Sequence, residues 1–165
     1  MYLLAVLILS LSISCPAATI EGRVVGVSDG DTVTVLDTED VQHKIRLAGI
    51  DAPEKSQPFG QRSKESLSEL VFSKAVTVET GKNDRYGREV GKVLVGCVDA
   101  NLAQVRKGFA WHYRAYAREQ TVNDRRLYVD AEIVAKDARM GLWRDSDPVA
   151  PWVFRKAKRD EQETR

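Results

Sequence analysis

The first part of the chain alternates apolar and polar residues with the two-residue period of β-strands. Residues 20–28 are rich in β-branched side chains and lead into Asp29-Gly30, a pair typical of tight turns. Residues 31–37 place Val33 and Val35 on one face. The sequence therefore predicts a hairpin at its start.

A third strand is predicted over residues 41–50, after the turn TED. Its two faces differ, one with Val41, His43, Ile45 and Leu47 and the other with Gln42, Lys44 and Arg46. We expect His43 on a barrel face, without a part in any chemistry. The strand ends at Asp51, so two hairpins lead to this acidic residue.

The apolar spacing becomes helical after Pro53. Leu67, Leu70 and Val71 share one side of a helix predicted over residues 60–72. Two further strands, 75–82 and 88–98, flank a turn with the sequence NDRYG. Strands interrupted by a helix are typical of an α+β fold.

Two more helices are predicted in the second half. The first lies within residues 99–108, capped by Asp99 and ended by Gly108. The second runs over 122–138 and ends before Gly141. Its predicted apolar stripe consists of Leu127, Ala131, Val134 and Ala138. The fold class is therefore α+β, a five-stranded OB-fold β-barrel with about three α-helices.

The N-terminal residues 1–18 carry no charge and form a short apolar core followed by small residues. This pattern predicts a signal peptide cleaved near Ala17 or Ala18, and a secreted or periplasmic protein without a stable membrane span. An uncleaved anchor, a buried helix and a lipid attached to Cys15 remain alternatives. Residues 19–144 form the domain, and 145–165 are predicted to be a partly disordered tail.

The net charge of +1 excludes the strong basic excess of a protein that coats DNA regardless of sequence. A nucleic-acid partner would therefore be bound by local basic residues. Cys97 is alone once the signal is removed, so a disulfide framework and a Cys/His zinc site are excluded. We expect Cys97 to be a buried strand residue.

Acidic residues cluster where predicted strands begin and end. Asp31 starts the second strand and Asp51 ends the third, and neighbouring strands are only about 4.8 Å apart. Carboxylates without His or Cys favour Ca²⁺ or Mg²⁺. The alternative is that Asp29 and Asp31 only form a turn.

Pro53 fixes the loop after Asp51 and biases Ala52 towards an extended backbone. The Ala52 carbonyl oxygen can then face the same cation. Glu54 follows, and a carboxylate near a metal can hold and deprotonate a water. A solvent-exposed glutamate near a helix is the alternative.

Basic residues complete the candidate site. Arg46 lies five residues before Asp51, while Arg85, Tyr86 and Arg88 lie on the turn between the later strands. Guanidinium groups match phosphate oxygens bidentately, and Tyr86 can stack on a base. Exposed strand and hairpin positions are the alternative. Together with the acids, these residues fit phosphodiester hydrolysis.

The segments VSDGDTVTV, IRLAGIDAPE and DRYGREVGKV, in this order, resemble the staphylococcal nuclease (thermonuclease) family over about residues 20–143. The resemblance implies an OB barrel with three helices and a Ca²⁺-dependent, sugar-nonspecific nuclease. It implies that DNA and RNA are cut at the 5′-oxygen–phosphorus bond, which leaves 3′-phosphates. We expect a monomer.

Site roles follow from the matching motifs. Asp31, Asp51 and the Ala52 carbonyl are expected to bind Ca²⁺, Glu54 to act as general base, and Arg46 with Arg88 to hold the phosphate. Substrate contacts are expected from Arg85, Tyr86 and Tyr116. This chain departs from the family pattern where Ala52 replaces a threonine and Arg85 a lysine, and in the segment WHYRAYARE. We expect Trp111 and His112 to pack the barrel.

Two other functions remain open at this point. A non-catalytic OB module would bind single-stranded nucleic acid without cutting it. A secreted domain that only binds a protein partner would lack stabilisation by calcium.

Overall fold

The computed structural model describes residues 18–164. The predicted signal peptide over 1–18, with Cys15, therefore lies outside the described residues except for Ala18. No helix between residues 18 and 164 combines the length and apolar character that crossing a membrane requires. The strands are β1 (Ala18–Asp29), β2 (Thr32–Asp37), β3 (Gln42–Leu47), β4 (Ile50–Asp51), β5 (Ala75–Asn83), β6 (Glu89–Val95), β7 (Val98–Asp99) and β8 (Trp111–His112).

The helices follow the barrel strands or interrupt them. They are α1 (Gly60–Val71), α2 (Ala100–Arg106), α3 (Val122–Asp137) and α4 (Pro151–Glu163), with 3₁₀ helices at Arg114–Glu119 and Gly141–Arg144. The first three match the predicted helices closely. Asp99 caps α2 as predicted, since its side chain accepts a hydrogen bond from the Leu102 N–H over 2.9 Å.

Five strands close into a barrel. β1 pairs antiparallel with β2 and β5, β2 with β3, and β5 with β6. The parallel pairing of β3 with β6, in which Ile45 faces Glu89 and Leu47 faces Gly91, closes the ring. The predicted α+β OB-type barrel is confirmed.

The core is the barrel interior together with the helices packed over it. Strand residues that alternate with polar neighbours fill the interior, and apolar residues of α1 and α2 belong to the same core. The buried set includes Val24, Val33, Val35, Ile45, Val78, Val93, Leu67, Val71 and Val105.

The third predicted strand is wrong in its extent, because it is divided in two. β3 ends at Leu47, and Gly49 adopts a positive φ of 73° that turns the chain. β4 then pairs with β8, with Asp51 opposite Trp111. Asp51 is therefore fixed by a separate small sheet and not by the end of β3.

The predicted apolar stripe of α3 is partly wrong. Val134 is 63% exposed, and Ala138 lies beyond the helix as its C-cap. The buried face instead consists of Tyr128, Ala131, Glu132 and Ala135. Glu132 is tolerated inside because it accepts the His112 N–H over 3.1 Å and pairs with Arg114 and Lys136.

Cys97 is exposed in the tight turn between β6 and β7, so the expectation of a buried strand residue is wrong. Gly96 has a φ of 58°, which ends the strand one residue earlier. The apolar run before Cys97 gave no sign of this turn other than the glycine itself.

The partly disordered tail predicted over residues 145–165 is, in the structure, largely the helix α4. Pro151 occupies its first turn, where a fixed φ favours helix, and residues 152–163 contain neither Gly nor Pro. Charged residues such as Lys, Arg and Glu are also good helix formers. Charge and two prolines were therefore misleading signals of disorder.

Candidate active site

A cleft of about 850 Å³ opens on one side of the barrel, and all nine predicted site residues line it. It is bounded by the β1–β2 turn, the segment from β3 to the start of α1, and the β5–β6 turn. The 3₁₀ helix Arg114–Glu119 and α4 complete the wall. The cleft therefore collects chain segments that are far apart in sequence.

Asp31 and Asp51 converge at the floor of the cleft. Asp31 Oδ2 accepts a hydrogen bond from the Ala52 N–H over 2.7 Å, which ties the β1–β2 turn to the residue after Asp51. Thr32 Oγ1 donates to Asp31 Oδ1 over 3.1 Å. The Asp51 side chain is only 1% exposed. Asp31 and Asp51 therefore lie close together in the structure, as predicted.

Arg46 lies between these acids and does not point to solvent. Its guanidinium pairs with Asp31, and its Nη2 donates to Asp51 Oδ1 over 2.8 Å. Burial of the side chain lowers the pKa of Arg46, although the Asp51 carboxylate opposes that shift. The alternative that Arg46 is an exposed strand residue is therefore wrong, because its side chain is only 15% exposed.

Glu54 is placed by a compact loop at the entrance to α1. Its N–H donates to Gln57 Oε1 over 3.2 Å, and its carbonyl oxygen accepts from the Gln57 N–H over 2.9 Å. Gln57 Nε2 in turn donates to the Val149 carbonyl. The Glu54 carboxylate is 40% exposed and faces the cleft. It is accessible to a water or a substrate.

Arg88 lies on the opposite wall, at the end of the β5–β6 turn. Its Nε donates to Asp84 Oδ2 over 2.7 Å, and its Nη1 donates to Thr32 Oγ1 over 3.3 Å. Burial opposes charge on Asp84, but the hydrogen bonds from Arg88 outweigh it and lower the pKa of Asp84. Thr32 therefore connects Arg88 to Asp31, and so to the floor that holds Arg46.

Arg85 and Tyr86 form the outer tip of this turn. Arg85 Nη2 donates to the Tyr86 hydroxyl over 2.7 Å, and its guanidinium lies 4.8 Å from the ring centroid. Tyr86 is 68% exposed. These two side chains are thus placed to meet a ligand that extends out of the cleft.

The aromatic segment after β8 divides between the core and the cleft. His112 is buried and shares a hydrogen bond of 2.9 Å with Gln120, while Trp111 packs edge-on against Trp143 at 4.3 Å. Tyr113 and Tyr116 line the cleft with their rings 5.3 Å apart. Packing explains Trp111 and His112, as expected, and Tyr113 joins Tyr116 in the wall.

Arg155 of α4 was missed by the sequence analysis. Its Nη1 and Nη2 donate to the two Asp51 oxygens over 3.1 and 2.7 Å, and Nη1 also donates to Glu54 Oε1 over 2.8 Å. The bond to Asp51 raises the pKa of Arg155 against the effect of burial. Asp84, the partner of Arg88, was also missed, although its place in the turn motif was visible.

The donors at the cleft floor suit a hard cation. Asp31 and Asp51 offer carboxylate oxygens, and no His or Cys is among the described residues that line the cleft. Within residues 18–164, no three His, Cys, Asp or Glu side chains are grouped to hold a metal ion. Two carboxylates therefore fit a cation whose other ligands come from backbone, water or substrate oxygens.

Comparison with known proteins matches residues 44–145 to a family model described as Staphylococcal nuclease homologue. An uncharacterized endonuclease of Escherichia coli is 40% identical over 156 residues, which cover 94% of this chain and 96% of that protein. One of Haemophilus influenzae is 41% identical over 137 residues, 83% of this chain and 74% of that protein. A micrococcal nuclease of Shigella flexneri is 37% identical over 160 residues, 91% of this chain and 89% of that protein.

Proposed function

Because the chain belongs to the staphylococcal nuclease family, we propose that it is a Ca²⁺-dependent nuclease acting on DNA and RNA. The proposed reaction is hydrolysis of the 5′-oxygen–phosphorus bond, which leaves 3′-phosphorylated products. The names endonuclease and micrococcal nuclease among its relatives support the reaction class. We also propose that the protein acts as a monomer.

The approach of Arg46 and Arg88 to one another is the observation that supports this proposal. Arg46 pairs with Asp31, and Arg88 donates to Thr32, the next residue along the chain. The positive charge of Arg88 contributes to lowering the pKa of Arg46, after burial. Two cations brought together in a cleft are favourable when an anion lies between them, and a phosphodiester supplies that anion.

The chain's own groups account for most of the mechanism. Arg46 and Arg88 would hold the non-bridging phosphate oxygens and neutralise the charge that grows on them in the transition state. Glu54, exposed to the cleft, would take a proton from the attacking water. As the new oxygen–phosphorus bond forms, the bond to the 5′-oxygen breaks, and that oxygen takes up a proton from solvent water.

Asp31, Asp51 and the Ala52 carbonyl would hold the cation. When bound, Ca²⁺ would supply Lewis-acid polarisation of a phosphate oxygen. The hydrogen bond from the Ala52 N–H to Asp31 supports this assignment, because it orients that carboxylate before any ligand arrives. Arg85, Tyr86 and Tyr116 would contact the nucleotides beside the cut.

We propose secretion to the periplasm or the medium after cleavage near Ala17 or Ala18. The uncharged apolar segment at the N-terminus supports this destination. N-terminal sequencing of exported protein tests it. A chain that keeps Met1 would contradict the proposal.

The central test is cleavage of labelled single-stranded DNA with Ca²⁺, with Mg²⁺ and with EGTA. We expect cutting that requires Ca²⁺ and falls by about 10²–10⁴-fold in Glu54→Gln, the usual contribution of a general base. Glu69→Gln, the same change on the exposed side of α1, is the matched control. Folded protein that binds DNA without cutting it would contradict the proposal and favour the non-catalytic OB module.

A further inference from the structure

Arg155 occupies the side of Asp51 and Glu54 that faces the cleft. It makes a two-pronged contact with Asp51 and a third hydrogen bond to Glu54, while Arg46 holds Asp51 from another direction. Asp51 Oδ1 thus accepts two guanidinium donors and Oδ2 accepts one. A carboxylate offers about four lone-pair positions, so most of those on Asp51 are in use.

The local charges favour the contact of Arg155 with Asp51 and Glu54 when no metal ion is bound. Asp31, Asp51 and Glu54 bring three negative charges together, and Asp51 is almost fully buried. Arg155 supplies the positive charge that Arg46 alone does not provide. Buried carboxylates require such partners, because an unpaired buried charge is strongly unfavourable.

α4 is attached to the domain by few contacts, which makes it easy to displace. Pro151 is its one buried residue among those the structure describes. Trp152 packs against Trp111 and Tyr113 at 5.6 and 5.3 Å, and Arg155 itself is 36% exposed. A helix held mainly by the two aromatic contacts of Trp152 and by one ion-pair cluster opens at low free-energy cost.

We propose that Arg155 is a positioning residue that holds Glu54 and competes with the divalent cation for Asp51, so that α4 sets the cation affinity of the site. The inference rests on the proposed function for the presence of that cation. A divalent ion and a guanidinium that share the same oxygens repel each other at contact distance. Cation binding therefore releases Arg155 and loosens α4, and docking of α4 weakens cation binding by the same factor.

The test is calorimetric titration of the purified protein with Ca²⁺ in the wild type and in Arg155→Gln. We expect Arg155→Gln to bind Ca²⁺ about tenfold more tightly. A factor of this size is typical of the coupling between two equilibria, here Ca²⁺ binding and the docking of α4. Arg155→Lys keeps the charge but cannot make two parallel hydrogen bonds to Asp51, so its Ca²⁺ affinity should lie between those of the wild type and Arg155→Gln. It also serves if Arg155→Gln fails to fold.

Arg159→Gln is the matched control. Arg159 lies one turn further along α4 and lines the same cleft, but it is exposed. Loss of an exposed charge should change the affinity by less than about threefold, because salt screens it. A similar gain in both variants would overturn the proposal in favour of a general field effect.

A second measurement follows the helix directly. Amide hydrogen exchange across α4 should become faster when Ca²⁺ is added to the wild type, and should be fast with or without Ca²⁺ in Arg155→Gln. Unchanged or weaker Ca²⁺ binding by Arg155→Gln would overturn this proposal and leave the nuclease assignment intact. Absence of Ca²⁺ binding in both proteins would overturn the calcium assignment and this proposal with it.

Discussion

Arg88 and Asp84 face each other across the β5–β6 turn, with a hydrogen bond of 2.7 Å from Nε to Oδ2. The other oxygen of Asp84 accepts the N–H groups of Tyr86 and Arg88 over 2.8 and 3.0 Å. One carboxylate therefore shapes the turn and aims its arginine. The guanidinium reaches the cleft already oriented, which reduces the entropy lost when it binds an anion.

Arg88→Ala should lower turnover by about 10²–10³-fold, the usual effect of removing one preorganised donor. The melting temperature should change little, because the side chain lies on a turn and fills no core space. Arg126→Ala is the control, since Arg126 is an exposed arginine of α3 that is not among the residues lining the cleft. Near wild-type turnover in Arg88→Ala would remove Arg88 from the mechanism.

Gly60→Ala should impair both stability and turnover. An added Cβ at Gly60 would overlap the Glu54 carbonyl oxygen, so the loop that carries Glu54 must move. We expect a loss of about 1–3 kcal/mol in the free energy of unfolding, as for other overpacked sites. Gly81→Ala is the control, because nothing lies within 4 Å of a Cβ built there. Equal melting temperatures and rates in the two variants would contradict this role.

His43 should make the stability of the barrel depend on pH. Its ring nitrogens lie 2.8 Å from Asp37 and 2.7 Å from Glu89. Hydrogen bonds to Asp37 and then to Glu89 raise the pKa of His43, against the smaller effect of burial. The stabilisation is then complete below the unfolded pKa of 6.5 and is lost as the pH rises through the higher folded pKa.

Thermal unfolding of the wild type and His43→Gln at about pH 6 and about pH 9 measures this effect. The variant should lose more stability at the lower pH, where the wild type carries a charged His43 between two carboxylates. A larger loss at the higher pH would show that the sign is wrong.

Substitution by Glu should have a small effect on stability at Val134 and a large one at Ala135. Val134→Glu should change the free energy of unfolding by no more than about 0.5 kcal/mol, because the side chain is exposed. Ala135→Glu should cost about 3 kcal/mol or more, because a charge would enter the contact with Leu142 and Trp143. Urea unfolding of the two variants decides which face of α3 is inside.

Local patterns were sufficient for much of the fold. Alternation predicted β1, β2, β5 and β6, and a capping Asp99 with helical spacing predicted the first three helices, because neighbouring residues decide these features. The three motifs contain Asp31, Arg46, Asp51, Glu54, Arg85, Tyr86 and Arg88, which all line the cleft, but the role of Asp84 on the same turn as Arg88 was missed. The meeting of Asp31 and Asp51 was predicted from sequence, but for a different reason, because the pairing of β4 with β8 and not the end of β3 fixes Asp51.

Tertiary structure alone decided the surroundings of those residues. Arg46 is buried between two acids because β4 turns back to pair with β8, a contact between residues 60 and 62 positions apart. Arg155 reaches Asp51 from 104 positions away. No local period encodes such contacts, because they depend on where the closed barrel and α3 leave room for the last helix. The sequence thus determined which groups the three motifs bring to the cleft. The packing determined that Arg155 joins them and which side chains hold one another.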